Sequence, residues 1–167
     1  SGTIVAGTGT AGTGNDQLSN PQGIHVDSSG NIYVSDTSNH RVMKWGTTYS
    51  DGGTLVAGVT GSAGSGTNQL YNPRGLDVDS SGNIYIADYQ RHRIMKWAPG
   101  ASTGTMVAGT GSNGSGTNNL SYPLDVDVDA SGNIYVADRS NHRIQRFQIS
   151  PQITIAAGET TGTLTIA

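Results

Sequence analysis

The chain has 167 residues, of which 25 are glycine, 13% are charged and none is cysteine. The glycine content favours strands and tight turns over long helices, and the lack of cysteine excludes disulfides, thiolate metal sites and a cysteine nucleophile. A net charge of −3 with nine Lys and Arg residues offers no basic stripe. We therefore expect no nucleic-acid partner, and no apolar run is long enough to predict membrane insertion.

Three short apolar segments recur at a spacing of about fifty residues. They are TIVAG at residues 3–7, TLVAG at 54–58 and TMVAG at 105–109. Each precedes a stretch rich in Gly, Ser, Thr and Asn, which we interpret as a flexible connecting loop. A proline ends each loop and opens a segment with apolar residues at alternate positions, the period of a strand. These prolines are Pro21, Pro73 and Pro123.

A turn with the pattern Asp-x-Ser-Gly-Asn follows at residues 27–31, 79–83 and 129–133. Its Asp accepts hydrogen bonds from nearby backbone N–H groups, and its Gly allows a tight hairpin. An Ile-Tyr-Val or Ile-Tyr-Ile strand comes next, then a second turn and a third strand that begins with Arg. An Asp before the second turn faces this Arg, and we predict that each such pair sets the register of its hairpin. The pairs are Asp36 with Arg41, Asp88 with Arg93 and Asp138 with Arg143.

The whole unit is written three times, as GNIYVSDTSNHRVMKW, GNIYIADYQRHRIMKW and GNIYVADRSNHRIQRF. Each unit predicts three strands in a meander, with the TIVAG-type segment as a fourth, which fits one propeller blade. With the preceding Pro-Gly and apolar-x-Val-Asp strand, it resembles the NHL repeat, whose name comes from residues such as Asn39, His40 and Arg41. The middle copy departs from the pattern, with Arg91 in place of Asn.

The resemblance implies an all-β fold, an NHL-type β-propeller with three four-stranded blades. Three blades would be half of a six-bladed ring or a fragment of a larger propeller. We place the blades at about residues 3–53, 54–104 and 105–150. Residues 151–167 form a separate strand segment with two interpretations. Residues 153–158 supply the outer strand of the last blade, or residues 153–167 resemble the opening of a Calx-β domain.

Three blades alone leave two blade faces uncovered, because propellers close with about four to eight blades. Two copies would complete a six-bladed ring, in which residues 3–6 of one copy complete a blade of the other. Strand donation through residues 163–166 would instead build a filament. A longer chain with more repeats is the third possibility. We expect the partner to be a second copy of the chain, with other proteins or glycans as further candidates.

Two sets of residues could suggest a metal site. Asp125, Asp127 and Asp129 share a strand face, but Asp129 belongs to the turn motif and the acidic ligands of a calcium loop are missing. The three histidines at the second turn lie on different blades and cannot converge on zinc, so we interpret them as turn residues. These are His40, His92 and His142. We therefore predict no metal and no cofactor.

The predicted inner strand contains the positions that vary between copies. A repeat keeps what its blade needs and changes what faces a partner, so these positions are candidates for binding at the channel or rim. They are Gln22, His25, Arg74, Asp77, Asp125 and Asp127. Met43, Met95, Trp45 and Trp97 are expected to pack between blades.

Three functions are open at this point. The first is a non-enzymatic propeller scaffold, extracellular or at the cell surface, that binds protein or carbohydrate or assembles by strand exchange. We find no catalytic residues and predict that the chain is not an enzyme. The second is a metal-dependent lyase or hydrolase using the channel, for which only His25 qualifies among the histidines. The third is single-stranded RNA binding, which the neutral to acidic inner positions disfavour.

Overall fold

The structure is a computed structural model that describes residues 1–148, and its regular elements are almost all strands. Four single turns of 3₁₀ helix complete them, at Thr37–Asn39, Tyr49–Asp51, Tyr89–Arg91 and Arg139–Asn141. No helix in this part of the chain is long and apolar enough to cross a membrane. The strands are β1 (Pro21–Val26), β2 (Ile32–Asp36), β3 (Arg41–Trp45), β4 (Thr54–Gly58), β5 (Pro73–Val78), β6 (Ile84–Asp88), β7 (Arg93–Trp97), β8 (Thr105–Gly109), β9 (Pro123–Val128), β10 (Asn133–Asp138) and β11 (Arg143–Gln148).

The strands form three antiparallel sheets, which we call blades 1, 2 and 3. Blade 1 has the order β1-β2-β3-β4, blade 2 the order β5-β6-β7-β8, and blade 3 the order β9-β10-β11. The all-β propeller prediction is confirmed. The expected fourth strand of blade 3, at residues 153–158, and the Calx-β-like interpretation lie outside the described residues.

The first copy of the TIVAG-type segment differs from the other two. Residues 3–7 are not part of any sheet among residues 1–148, although their copies form β4 and β8. Val5 and Ala6 instead pack against Ile32, Val34, Met43 and Trp45 of blade 1. The physical reason is that β4 and β8 pair with the third strand of their own blade, and residues 3–7 have no such strand beside them.

Neighbouring blades bury each other's apolar faces. Val42 and Ala57 of blade 1 form one cluster with Leu70, Leu76 and Met95, which lie on or just before blade 2. Ile94 and Ala108 of blade 2 form the equivalent cluster with Leu120, Val126 and Val136 at blade 3. A sheet with two apolar faces is stable only between two partners, so the blades stack side by side.

Each blade also carries an ion pair at its second turn, which is buried in blades 1 and 2 and partly exposed at Arg143 of blade 3. Arg41 Nε lies 2.7 Å from Asp36 Oδ2, and the pair recurs as Arg93 with Asp88 and Arg143 with Asp138. Asp36 and Arg41 are direct partners in the β2–β3 register. The guanidinium does more than pair with its Asp, because its NH1 and NH2 groups donate to the loop carbonyl oxygens of Thr13, Gly14 and Gln17.

The connecting loops are therefore held in one conformation, although their sequence predicts flexibility. Arg93 donates to the carbonyls of Ser65, Gly66 and Gln69, at the same places in the second loop. The Asp completes the clamp, since Asp88 Oδ1 accepts the Tyr71 N–H at 2.7 Å. Each loop thus presents its leucine, such as Leu70, to the blade beside it.

The turn histidines adopt a left-handed backbone conformation, with φ of 57° at His40, 51° at His92 and 52° at His142. His40 Nδ1 accepts the N–H of Asn72, and His92 Nδ1 accepts the N–H of Tyr122. Both bonds cross from one blade to the next. An acceptor nitrogen must be unprotonated, so these contacts require neutral imidazole.

Blade 2 differs at the ion pair because Arg91 replaces asparagine. Asn39 donates to Asp36 Oδ2 and Asn141 donates to Asp138 Oδ2, each at 2.8 Å. Asp88 has no equivalent donor among the described residues, and burial raises its pKa to about 6. A buried carboxylate with fewer donors is costlier to ionise.

The first prediction concerns the guanidinium clamp. Arg41→Lys keeps the charge but loses the forked contacts to three loop carbonyls, and we expect it to lower the free energy of unfolding by about 3 kcal/mol. Arg146→Lys is the matched control, because Lys44 and Lys96 occupy that place in the other blades. Urea unfolding measures both. Equal stability of the two variants would show that the clamp contributes nothing.

The second prediction concerns pH. Burial lowers the pKa of His40 and His92 below 6.5, and the nearby positive charge of Arg91 lowers that of His92 further. The folded state thus binds fewer protons just below pH 6.5, so stability is complete above that pH and falls as the pH decreases through the shifted range. Asp88 has the opposite effect. Because its pKa is raised in the folded state, its contribution to stability is lost as the pH rises from 3.8 to about 6.

The double variant His40→Asn, His92→Asn separates these two effects. Asparagine tolerates the left-handed conformation and keeps Asp88 unchanged. We expect its Tm to be less sensitive than that of the wild type to a decrease from pH 7.5 to about 5. If Tm depended on pH in the same way in both proteins, the pH dependence could not be assigned to His40 and His92.

Candidate active site

The innermost strand of each blade lines the concave side of the arc. β1 contacts β5, and β5 contacts β9. Gly23 and Gly75 allow this approach, because a Cβ on Gly23 would meet the carbonyl oxygen of Arg74, and one on Gly75 would lie 2.6 Å from the Cα of Asp125. Glycine at these positions brings the side chains of the three inner strands within reach of one another.

Asp77 connects all three blades. Its Oδ1 lies 2.9 Å from Nδ1 of His25 in blade 1, and its Oδ2 accepts the N–H of Val128 in blade 3 at 2.9 Å. A carboxylate only accepts, so the His25 proton sits on Nδ1 and the Nε2 lone pair is left for another partner. His25 is partly exposed, and its ring packs edge-on against Tyr33.

Two further carboxylates lie near this pair. Burial raises the pKa of Asp125, and the negative charges of Asp127 and Asp77 raise it further. Asp125 Oδ1 accepts the N–H of Val126 at 3.0 Å, which partly offsets these effects. The inner face therefore combines one imidazole with three carboxylates, of which Asp125 has a raised pKa, an arrangement typical of acid–base sites.

The rim of the concave face carries an arginine and an aromatic ring rather than a cluster of carboxylates. A groove of about 440 Å³ there is lined by residues that include Gln22, Arg74, Leu124 and Asp125. Arg74 NH1 donates to Gln22 Oε1 at 2.7 Å, and its guanidinium stacks 4.1 Å from the ring centre of Tyr89. The buried Nε of Arg74 has no hydrogen-bond partner in residues 1–148. This rim offers a cation and an aromatic ring to a ligand.

The six predicted binding residues fall into two groups. Gln22, Arg74 and Asp125 line the rim groove. His25 pairs with Asp77, and Asp127 contributes charge beside Asp125. Sequence reasoning missed Tyr33 and Tyr89. Tyr89 had a detectable signal, because it varies between copies at a turn where blade 1 has Thr37.

The described residues do not form a metal centre. They contain no group of three or more His, Cys, Asp or Glu side chains that could hold an ion. Asp129 is occupied by its own turn, where it accepts the N–H groups of Ser131 and Asn133 and the side-chain amide of Asn133. A metal bound in this channel would need ligands from elsewhere.

Comparison with known proteins identifies the repeat. The NHL repeat family matches residues 18–45, 70–97 and 120–147. The mouse peptidyl-glycine alpha-amidating monooxygenase is 32% identical over 81 residues, which are 47% of this chain and 8% of that protein. The Drosophila melanogaster peptidyl-alpha-hydroxyglycine alpha-amidating lyase 2 is 30% identical over 88 residues, covering 52% of this chain and 21% of that protein.

A solved structure shares the fold. Virginiamycin B lyase from Staphylococcus aureus matches with a TM-score of 0.56 and 15% identity, over 77% of this chain and 38% of that one. At this identity the likeness concerns the fold alone. The chain thus spans less than half of each of these proteins.

The prediction that the chain is not an enzyme is wrong. The relatives that match about half of its sequence are named as an amidating monooxygenase and an amidating lyase. Sequence reasoning considered His25 alone, whereas its partner Asp77 lies 52 residues away in the sequence, on the next blade.

The third prediction concerns the close approach of the inner strands. Gly75→Ala places a methyl group against both the Cα and the carboxylate of Asp125, and we expect it to lower the free energy of unfolding by about 3 kcal/mol. Adding Asp125→Gly removes the carboxylate but not the Cα, so it should restore only part of the loss. Gly46→Ala is the control, since the nearest atom to its Cβ is 3.9 Å away. The free energies of unfolding are measured with urea. A Gly75→Ala variant as stable as the wild type would contradict the close contact between Gly75 and Asp125.

Proposed function

Because the chain belongs to the NHL-repeat family, we propose that it is part of a propeller enzyme, a lyase whose base is the His25–Asp77 pair in the channel. The single observation that carries the proposal is this pair, with Asp77 fixed between His25 Nδ1 and the Val128 N–H. The relationship to a protein named as an amidating lyase supports the reaction class.

The geometry suits proton abstraction. Asp77 holds the imidazole in one tautomer and orientation, as the carboxylate does in other His–Asp catalytic pairs. Nε2 is then free to take a proton from a substrate hydroxyl. Positive charge that develops on His25 is balanced by Asp77, at 2.9 Å.

The name of the lyase relative supplies a candidate substrate, a peptide that ends in α-hydroxyglycine. The α-carbon of that last residue carries both a hydroxyl and the amide nitrogen. His25 would take the hydroxyl proton, the oxygen would form a carbonyl as the C–N bond breaks, and His25 would return that proton to the departing nitrogen. The products are a peptide amide and glyoxylate, so the step needs no oxidant or reductant.

The rim groove would bind the rest of such a substrate. Arg74 is partly exposed, is stacked on Tyr89 and keeps its Nε without a hydrogen-bond partner in the described chain. Its Nε is buried and out of reach of a ligand, but the charge of the partly exposed guanidinium favours a carboxylate or another anionic group. A peptide with an acidic side chain near its end is therefore the expected better substrate.

A metal-dependent version of this chemistry was one of the hypotheses from the sequence. Residues 1–148 hold no three-ligand cluster, so they do not fit a resident metal by themselves. The chemistry proposed for His25 therefore uses the protein's own imidazole and carboxylate.

The fourth prediction tests the proposed activity. Purified protein is incubated with an acylated dipeptide ending in α-hydroxyglycine, and the amide and glyoxylate are measured by chromatography. We expect turnover by the wild type, and a loss of at least about 100-fold in kcat for His25→Gln, the range of general base catalysis. Asp77→Asn should lower kcat by a similar factor while leaving KM largely unchanged.

Asp16→Asn is the control, because Asp16 is an exposed carboxylate in a connecting loop. It should retain full activity. The proposal would be overturned if His25→Gln retained its activity. It would also be overturned if wild-type protein that forms a closed ring showed no turnover.

A further inference from the structure

The two ends of the arc expose the apolar residues that are buried between blades. Ile144 of blade 3 is 70% exposed, whereas its equivalents Val42 and Ile94 are each 0% exposed. Ile24 of blade 1 is 65% exposed, whereas Leu76 and Val126 at the same place are 5% and 4% exposed. Exposed apolar surface of this kind marks an interaction site.

The chain itself shows what covers such residues. Val42 packs with Leu70 and Leu76 of the next blade, and Ile94 packs with Leu120 and Val126. The uncovered Ile144 and Ile24 are the two halves of one further contact of the same kind. They lie at opposite ends of the arc formed by residues 1–148. The blade 1 face of a second copy would offer Ile144 a contact of the same kind as those at Val42 and Ile94.

Strand pairing also favours a second copy as the partner of blade 3. In blades 1 and 2 the third strand pairs with a fourth, with Val42 opposite Ala57 and Ile94 opposite Ala108. The outer edge of β11 pairs with no strand in residues 1–148. Residues 3–7 repeat the sequence of β4 and β8 and already lie over the face of blade 1. At the same register, Ala6 of one copy would face Ile144 of the other.

The residue before the fourth strand distinguishes this segment from the C-terminal one. Gly53 and Gly104 precede β4 and β8, and a Cβ there would lie 2.7 Å and 2.6 Å from the rings of Trp45 and Trp97. Gly2 holds this place before residues 3–7, and a Cβ on it would meet nothing within 4 Å. Ile153 holds it before residues 154–158. Residues 3–7 therefore share the preceding glycine of β4 and β8, whereas the C-terminal segment does not.

We propose that residues 2–7 of one copy form the fourth strand of blade 3 in a second copy, and that two such exchanges close a six-bladed ring. Asn20 fits this junction, because its φ of 53° matches those of Asn72 and Tyr122, whose N–H groups bond to His40 and His92. Its N–H would donate to His142 of the other copy. Three blades of a six-bladed ring span about 180°, so two copies close with twofold symmetry.

The new junction differs from the internal ones at one residue. Asp125 of blade 3 stands where Gly23 and Gly75 allow the next inner strand to approach closely. Its Cβ and carboxylate hold the inner strands further apart, so the ring is wider at these two places beside the channel. This inference deepens the proposed function, since a channel requires a closed ring, but it is measured without an activity assay.

The fifth prediction is the mass of the protein in solution. Light scattering should give twice the 17.2 kDa of one chain. Ile144→Asp should reduce the mass to that of one chain, because it places a charge in the apolar junction. Met106→Asp is the matched control, an exposed apolar residue on β8 outside the clusters between blades, and this variant should remain a dimer. A wild-type mass of one chain, or masses that grow with concentration beyond two chains, would overturn the ring.

Engineered cysteines test the strand exchange itself, and the chain has no others. Ala6→Cys with Ile144→Cys should give a covalent dimer on oxidation, because directly paired residues lie within disulfide range. Thr3→Cys with Ile144→Cys is the control, because the equivalent Thr54 pairs with Lys44, two residues further along the third strand than Val42, and it should remain uncross-linked. A disulfide within one chain in Ile144→Cys, Ala157→Cys would overturn the proposal in favour of the C-terminal segment.

Discussion

Burial of one blade face against the next is the interaction on which the structure depends. A blade of three or four strands has two apolar faces, and one sheet cannot cover both. Val42, Leu70 and Leu76 meet at the first junction, and Ile94, Leu120 and Val126 meet at the second. Because each contact joins a third strand to the following loop and inner strand, the blades must stack in one direction. The exposed Ile24 and Ile144 follow from the same rule.

The Asp–Arg clamp makes this stacking specific. Burying a charge pair contributes little to stability by itself, because the desolvation of both groups opposes their attraction. The pair here also binds the backbone of a loop that has few apolar side chains of its own. Arg93 donates to three carbonyls of the loop that ends in Leu70, and Asp88 accepts a further N–H from it. The clamp thus converts a glycine-rich segment into a fixed connection between blades.

Much of this architecture is predictable from the sequence, because a repeat shows its own period. The strand order, the turns and the facing of Asp36 with Arg41 follow from alternation and turn chemistry within one copy. The loop conformation does not, since it depends on a guanidinium 24 or more residues further along the chain. The His25–Asp77 pair was missed for the same reason. Its members lie on different blades, and only the close approach at Gly23 and Gly75 brings such positions together.

Hydrogen exchange measured at increasing protein concentration tests the dependence of each blade on its neighbours most directly. Blade 2 is covered on both faces within one chain, so the amides of β6 and β7 should exchange slowly at every concentration. The amides of β2 and β10 should exchange faster in dilute protein and become protected as the concentration rises, because the flanking blades gain their missing neighbours. Equal protection of all three blades, unchanged by concentration, would show that a blade needs no neighbour, and it would contradict the account.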